Sequence, residues 1–184
     1  MNFKTKKENT HLYFSPEKDY FNAFSQHLKE YLLKYKQPKE TLILLCIGTD
    51  KLTGDCLGPL VGSKLQKRNF PYPLYGTLKQ PLHASNLSES LIQIKKYHPQ
   101  PFLLAIDAAV GAKKNIGRIS LSCNPLSPGK GVSRPLTPIG NISITGIINE
   151  ASSSSELLLP YTSLYLVDSL AEYICSGIIT ALTI

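Results

Sequence analysis

A three-layer α/β/α domain with a central, mostly parallel sheet is the fold class the sequence predicts. Three observations predict it. The runs Leu42 to Ile47 and Phe102 to Ile106 are short, apolar and bounded, as expected of strands buried on both faces. Segments with apolar residues at helical spacing lie before, between and after them. Strand and helix alternate through most of the chain, which favours parallel strands joined by helical crossovers. With 184 residues the chain suits a single domain. Residues 1–40 supply a tail and an amphipathic helix, and residues 41–184 supply the core.

In chain order, Met1 to Thr10 is polar and reads as a loose tail. Ser15-Pro16 gives a cap and a first-turn proline for a helix carrying Phe21, Phe24, Leu28, Tyr31, Leu32 and Tyr35 on one face. After the strand at Leu42 to Ile47 comes a polar Gly/Thr/Asp loop, then a helix starting near Pro59. Tyr72 to Leu78 reads as an edge strand because of Pro73. Asn86 and Glu89 have capping-box spacing ahead of a helix with Leu87, Leu91, Ile92 and Ile94. Arg118 to Cys123 and Ile142 to Ile148 read as strands, separated by a Pro/Gly/Ser-rich loop, Asn124 to Gly140. Ser152 to Ser155 is a polar loop. The last element, from about Ser163 to Leu182, is a helix with one buried face.

Composition narrows the function. The net charge of +7 permits an acidic partner. Its lysines are scattered, with no dense basic block or stacking series of aromatics, so nucleic-acid binding is not expected. Cys46, Cys56, Cys123 and Cys175 form no CxxC pair, which fits a reducing cytoplasm and neither a disulfide scaffold nor a zinc cluster. No signal peptide is expected, and no apolar run is read as a membrane span.

The chemistry concentrates at the ends of two strands. Asp50 and Asp55 lie in the loop after the first strand, and Asp107 follows the third. In an open α/β sheet these ends share one edge, where ligands collect. The loop is not a phosphate-binding one, since its glycines are wrongly spaced and an acid stands where the lysine should be. Two carboxylates sharing a site resist double ionisation, so the pair holds one proton. One member can then activate water while the other protonates a leaving amine. His83, after the second strand, is a candidate to orient a carboxylate or move a proton. Asp50, Thr53 and Gly54 are candidate substrate contacts. Each acid also has a local reading: Asp55 as a helix cap, Asp50 as an Asx turn, Asp107 as the residue ending a strand. Cys56 reads as a packing residue, and His11, His27 and His98 as surface residues.

The segments Ile47-Gly48-Thr49-Asp50, Thr53-Gly54-Asp55-Cys56-Leu57-Gly58-Pro59-Leu60-Val61-Gly62, Tyr75-Gly76-Thr77, Pro81 to Leu87 and Ala105 to Gly111 resemble the YyaC family of sporulation proteins. Pro128 to Val132 and Ile139-Gly140 fit it too. That family is similar to the spore germination protease and, more remotely, to hydrogenase maturation proteases. The resemblance implies an α/β/α fold of the phosphorylase/hydrolase-like kind, and it puts the germination protease's two catalytic aspartates on Asp55 and Asp107. Gly54 and Cys56 depart mildly from its motif, and this chain is much shorter than that protease. Maturation proteases also use a histidine beyond the second acid, and none follows Asp107 here, so no metal and no cofactor is expected. The implied function is a sporulation-associated aspartic-type peptidase in the cytoplasm of a forespore or spore. Its substrate would be a protein or peptide, small acid-soluble spore proteins among them, and a homo-oligomer is compatible with it. The competing reading is a non-catalytic sporulation protein that binds a peptide or partner in the crevice.

Overall fold

The computed structural model describes residues 11–16, 21–128, 137–152, 157 and 159–183. Its strands are β1 (His11–Phe14), β2 (Thr41–Cys46), β3 (Leu74–Tyr75), β4 (Pro101–Gly111), β5 (Ile119–Ser122) and β6 (Ile142–Glu150). Among the described residues the helices are α1 (Phe21–Tyr35), α2 (Leu57–Lys67), α3 (Leu87–Tyr97) and α4 (Leu164–Leu182). The strands make one sheet in the order β1-β5-β6-β4-β2-β3. β3, β2, β4 and β6 run parallel, and β5 and β1 continue the sheet antiparallel.

The apolar strands alternate between two cores, as a period of two requires. Leu42, Leu44 and Cys46 of β2, with Phe102, Leu104 and Ile106 of β4, pack beneath Phe24 and Leu28 of α1, Leu57 and Val61 of α2, and Ile174 and Ile178 of α4. Ile43, Leu45 and Ala105 face the other way, against Leu87 and Ile94 of α3 and against Leu126 and Ile139. Helices on both faces of the sheet make the three layers. Leu57 is fully buried where α2 begins. Leu57→Ala is expected to cost about 2–5 kcal/mol, measured by urea unfolding.

Several sequence expectations shift. Tyr72 to Leu78 yields only Leu74–Tyr75 as strand, because Gly76 turns away at φ 95°. Asn86 forms no capping box. Its Oδ1 accepts from the His83 N–H (2.9 Å) and its Nδ2 donates to the Pro81 carbonyl (3.0 Å), so it braces the preceding loop. Ser163 does cap α4, accepting from Leu166 N–H at 3.3 Å. The four-residue strand β1 has no counterpart in the sequence reading; it pairs with β5, and His11 Nδ1 lies 3.0 Å from Ser120 Oγ. The tail Met1 to Thr10, the start of the first predicted helix and Ser153 to Ser155 lie outside the described residues, as does the middle of the Asn124 to Gly140 loop.

By length and composition alone α4 could cross a membrane, contrary to the sequence expectation. Val167, Leu170, Ala171 and Ile174 are nonetheless buried in the core. Its polar side meets α2, where Lys64 contacts Asp168 (2.9 Å) and Glu172 (3.3 Å), and Arg68 bonds Glu172. Arg68 holds the Glu172 carboxyl below its ordinary range.

Candidate active site at the carboxyl end of β2

The site is built where β2 stops. One residue past its end, Ile47 N–H donates to the Ile106 carbonyl of β4 at 2.7 Å. On the opposite flank Gly48 N–H donates to the Leu82 carbonyl at 2.8 Å, beside a parallel bridge between Ile47 and Leu82. The residues that follow these two acceptors are Asp107 and His83. Both therefore border the same loop, Gly48-Thr49, from opposite sides.

Asp55 arrives from the loop itself. Thr53–Asp55 is a single 3₁₀ turn just ahead of α2, and Thr49 N–H donates to the Asp55 main-chain oxygen at 3.0 Å. The turn packs against β4, against α4 and against the turn Leu159–Tyr161. Gly48 permits this closure. It sits at φ 136°, and a Cβ there would stand 2.0 Å from the Asp55 main-chain oxygen. Gly58 lets α2 start close to the strand end, since its Cβ would fall 2.1 Å from the Ile47 oxygen. Asp55 does not cap α2: the capping position is Cys56, with no side-chain cap bond. The Cys56 thiol donates to the Thr53 carbonyl at 3.1 Å, and burial raises its pKa.

Asp107 is not the last residue of its strand, as expected from sequence. β4 runs on to Gly111 because β6 stays paired with it to Glu150. Asp107 is the first β4 residue beyond the β2 register, which ends at Cys46 opposite Ile106. It is 7% exposed, and its Oδ1 accepts from the Ala108 N–H at 2.8 Å.

The electrostatics couple the two acids. Burial pushes the Asp55 carboxyl up to about 6, while a backbone hydrogen bond from Thr49 and the nearby His83 pull it back. Asp107 is raised well above the ordinary carboxyl range, by burial first and then by the charge of Asp55. Both carboxyls are thus raised, and a charge on Asp55 makes ionisation of Asp107 harder. Among the other candidates, Asp50 is exposed and Thr53 is half-buried. Gly54 is buried, with Leu159 and the Thr162 hydroxyl beside it. The sequence reading missed Leu159 and Thr162, which pack beside Gly54 on the Thr53–Asp55 turn from the far end of the chain. Their only sequence signal was proximity to the start of the last helix.

A profile for the family described as a protein of unknown function, DUF1256, matches residues 13–177. The chain belongs to the DUF1256 family. A curated relative is the uncharacterized protein YyaC of Bacillus subtilis (strain 168), 38% identical over 144 residues, which are 78% of this chain and 70% of that protein. The DUF1256 chain is thus a YyaC homologue, as its motifs suggested. Among solved structures it is similar to the [NiFe] hydrogenase maturation protease HycI from Thermococcus kodakarensis KOD1. That match has a TM-score of 0.47 at 17% identity, over 83% of this chain and 99% of the other. Among the described residues no three His, Cys, Asp or Glu side chains converge to hold a metal ion.

Proposed function

We propose that this DUF1256 protein is an aspartic-type peptidase whose Asp55 and Asp107 share one proton. The coupling of the two carboxyls carries the reading, with Asp107 buried and raised by the Asp55 charge. Near neutral pH, Asp55 is the carboxylate and Asp107 the acid. Asp55 takes a proton from water as the water oxygen bonds to the peptide carbonyl carbon. Asp107 gives its proton to the leaving nitrogen as the C–N bond breaks. The proton on Asp55 then passes to Asp107, and the pair is restored. His83 borders the same loop and tempers the Asp55 carboxyl.

The resemblance of Thr53 to Pro59 to the germination protease motif supports this chemistry. It also suggests the setting: a sporulation role in the forespore or spore interior, with small acid-soluble spore proteins among the substrates. The pH dependence follows from the shifts. Cleavage is expected to rise as pH increases through about 6, where Asp55 ionises, and to fall at higher pH as Asp107 loses its proton. A kcat/KM profile on a cleaved peptide measures both limbs. Incubation with small acid-soluble spore proteins, read by mass spectrometry, tests the proposal itself. Defined cleavage lost in Asp55→Asn and Asp107→Asn supports it. Absence of cleavage with peptide binding retained shifts the assignment to a binding protein.

A further inference from the structure

We propose that the substrate is held as an added strand along the edge of β4 that β2 leaves bare, anchored by the Ala108 carbonyl and the Val110 N–H. The inference rests on the peptidase reading and describes how that site takes its substrate: as an extended segment with apolar side chains at alternate positions.

β2 accompanies β4 only from Thr41 opposite Pro101 to Cys46 opposite Ile106. β6 accompanies it much further, to Glu150 opposite Gly111. From Asp107 to Gly111, β4 has β6 on one side and, among the described residues, no strand on the other. Backbone groups of successive strand residues point to alternate sides. The Ile106 carbonyl faces β2, accepting from Ile47, whereas the Gly111 carbonyl faces the β6 side, accepting from Ala151 at 2.8 Å. The β4–β6 register shifts between Ala109 and Val110, with the extra residue on β6, so Ala108 and Val110 keep the side of Ile106.

The ladder breaks at a definite group. The Ala108 N–H, which would continue the pairing with β2, is taken by Asp107 Oδ1 at 2.8 Å. The next two groups along this edge are the Ala108 carbonyl and the Val110 N–H. Among the described residues no turn or loop hydrogen bond reaches either. In a parallel ladder one residue donates to the carbonyl before its opposite number and accepts from the N–H after it. The two groups flank Ala109 in that way, so a substrate residue opposite Ala109 would make both bonds. The peptide bond on its amino-terminal side then lies level with Ala108, the residue that follows Asp107. Val110 is 37% exposed, so the edge is reachable. Tyr161, Leu164 and Tyr165, all strongly exposed, lie on and just after the turn that packs on Thr53–Asp55. Strand addition takes affinity from the main chain, which the bare edge offers, and selectivity from alternate side chains. A bare edge is otherwise a liability that proteins cover.

The test uses full-length Asp55→Asn protein with a library of short synthetic peptides carrying leucine at alternate positions. Hydrogen exchange is followed at the Val110 amide. Bound peptide is expected to slow that exchange. Val110→Pro, which removes the N–H, is expected to weaken binding about tenfold, while Val110→Ala, which keeps it, binds as the parent does. If Val110→Pro does not fold, protection at Val110 in the parent decides. No binding by any peptide, binding without protection at Val110, or equal binding by the proline and alanine variants overturns the proposal. Protection at Val110 with no cleavage by the wild type overturns the peptidase reading instead and leaves strand addition standing. Cleavage by the wild type with Val110 unprotected does the reverse.

Discussion

Asp107→Asn and Asp55→Asn are each expected to lower peptide cleavage by about 10²–10⁴-fold, the range for loss of a general acid or base. The same changes should stabilise the protein at neutral pH. An aspartate in the unfolded chain titrates at 3.8, and burial in this fold raises Asp55 to about 6. The folded state therefore holds a proton that the unfolded chain releases between those values. Stability conferred by that proton is complete below about pH 4 and is lost as pH rises through about 6. Asparagine carries no such dependence. Asp55→Asn is thus expected to gain up to about 2–3 kcal/mol above pH 6, less whatever solvent reaching the half-buried carboxyl screens, and nothing near pH 4. Urea unfolding at the two pH values measures it. A variant that is inactive and more stable distinguishes a functional carboxylate from a structural one, whose removal would destabilise.

Gly48→Ala is expected to destabilise the fold by about 3 kcal/mol or more and to abolish cleavage. The backbone there is at φ 136°, a conformation that L side chains rarely adopt. The added Cβ would meet the main-chain oxygen of Asp55 at 2.0 Å, the atom that accepts from Thr49 N–H. Backbone cannot retreat as a flexible side chain can, so the turn carrying Asp55 must shift. Urea unfolding gives the loss of stability. Loss of cleavage beyond the unfolded fraction reports displacement of Asp55.

Much of this architecture was legible from local pattern. The run Leu42 to Ile47 had to be buried on both faces, and it is divided residue by residue between the two cores. Asp55 and Asp107 stood out because each follows such a run, and parallel strands bring those ends to one edge. The end of β4 was not legible. Whether Asp107 stops a strand or sits within it depends on β6 staying paired after β2 has ended, a long-range fact. β1 escaped notice because Leu12 and Phe14 alternate over only four residues, too few to separate a strand from a tail. Asn86 misled because its spacing to Glu89 is that of a capping box, while the tertiary fold uses its amide to brace the His83 loop. Thr162 and Leu159 meet Gly54 across more than half the chain, with no local pattern to announce it.

The most direct measurement of the central claim needs no substrate. Carbon-13 carboxyl NMR of the wild type, Asp55→Asn and Asp107→Asn, followed across pH, reports each acid separately. Asp55 is expected to titrate near 6 and Asp107 well above the ordinary carboxyl range, and Asp55→Asn is expected to lower the Asp107 midpoint by removing the charge that holds its proton. Both acids titrating near ordinary aspartate values, or an Asp107 midpoint indifferent to residue 55, would contradict the central claim.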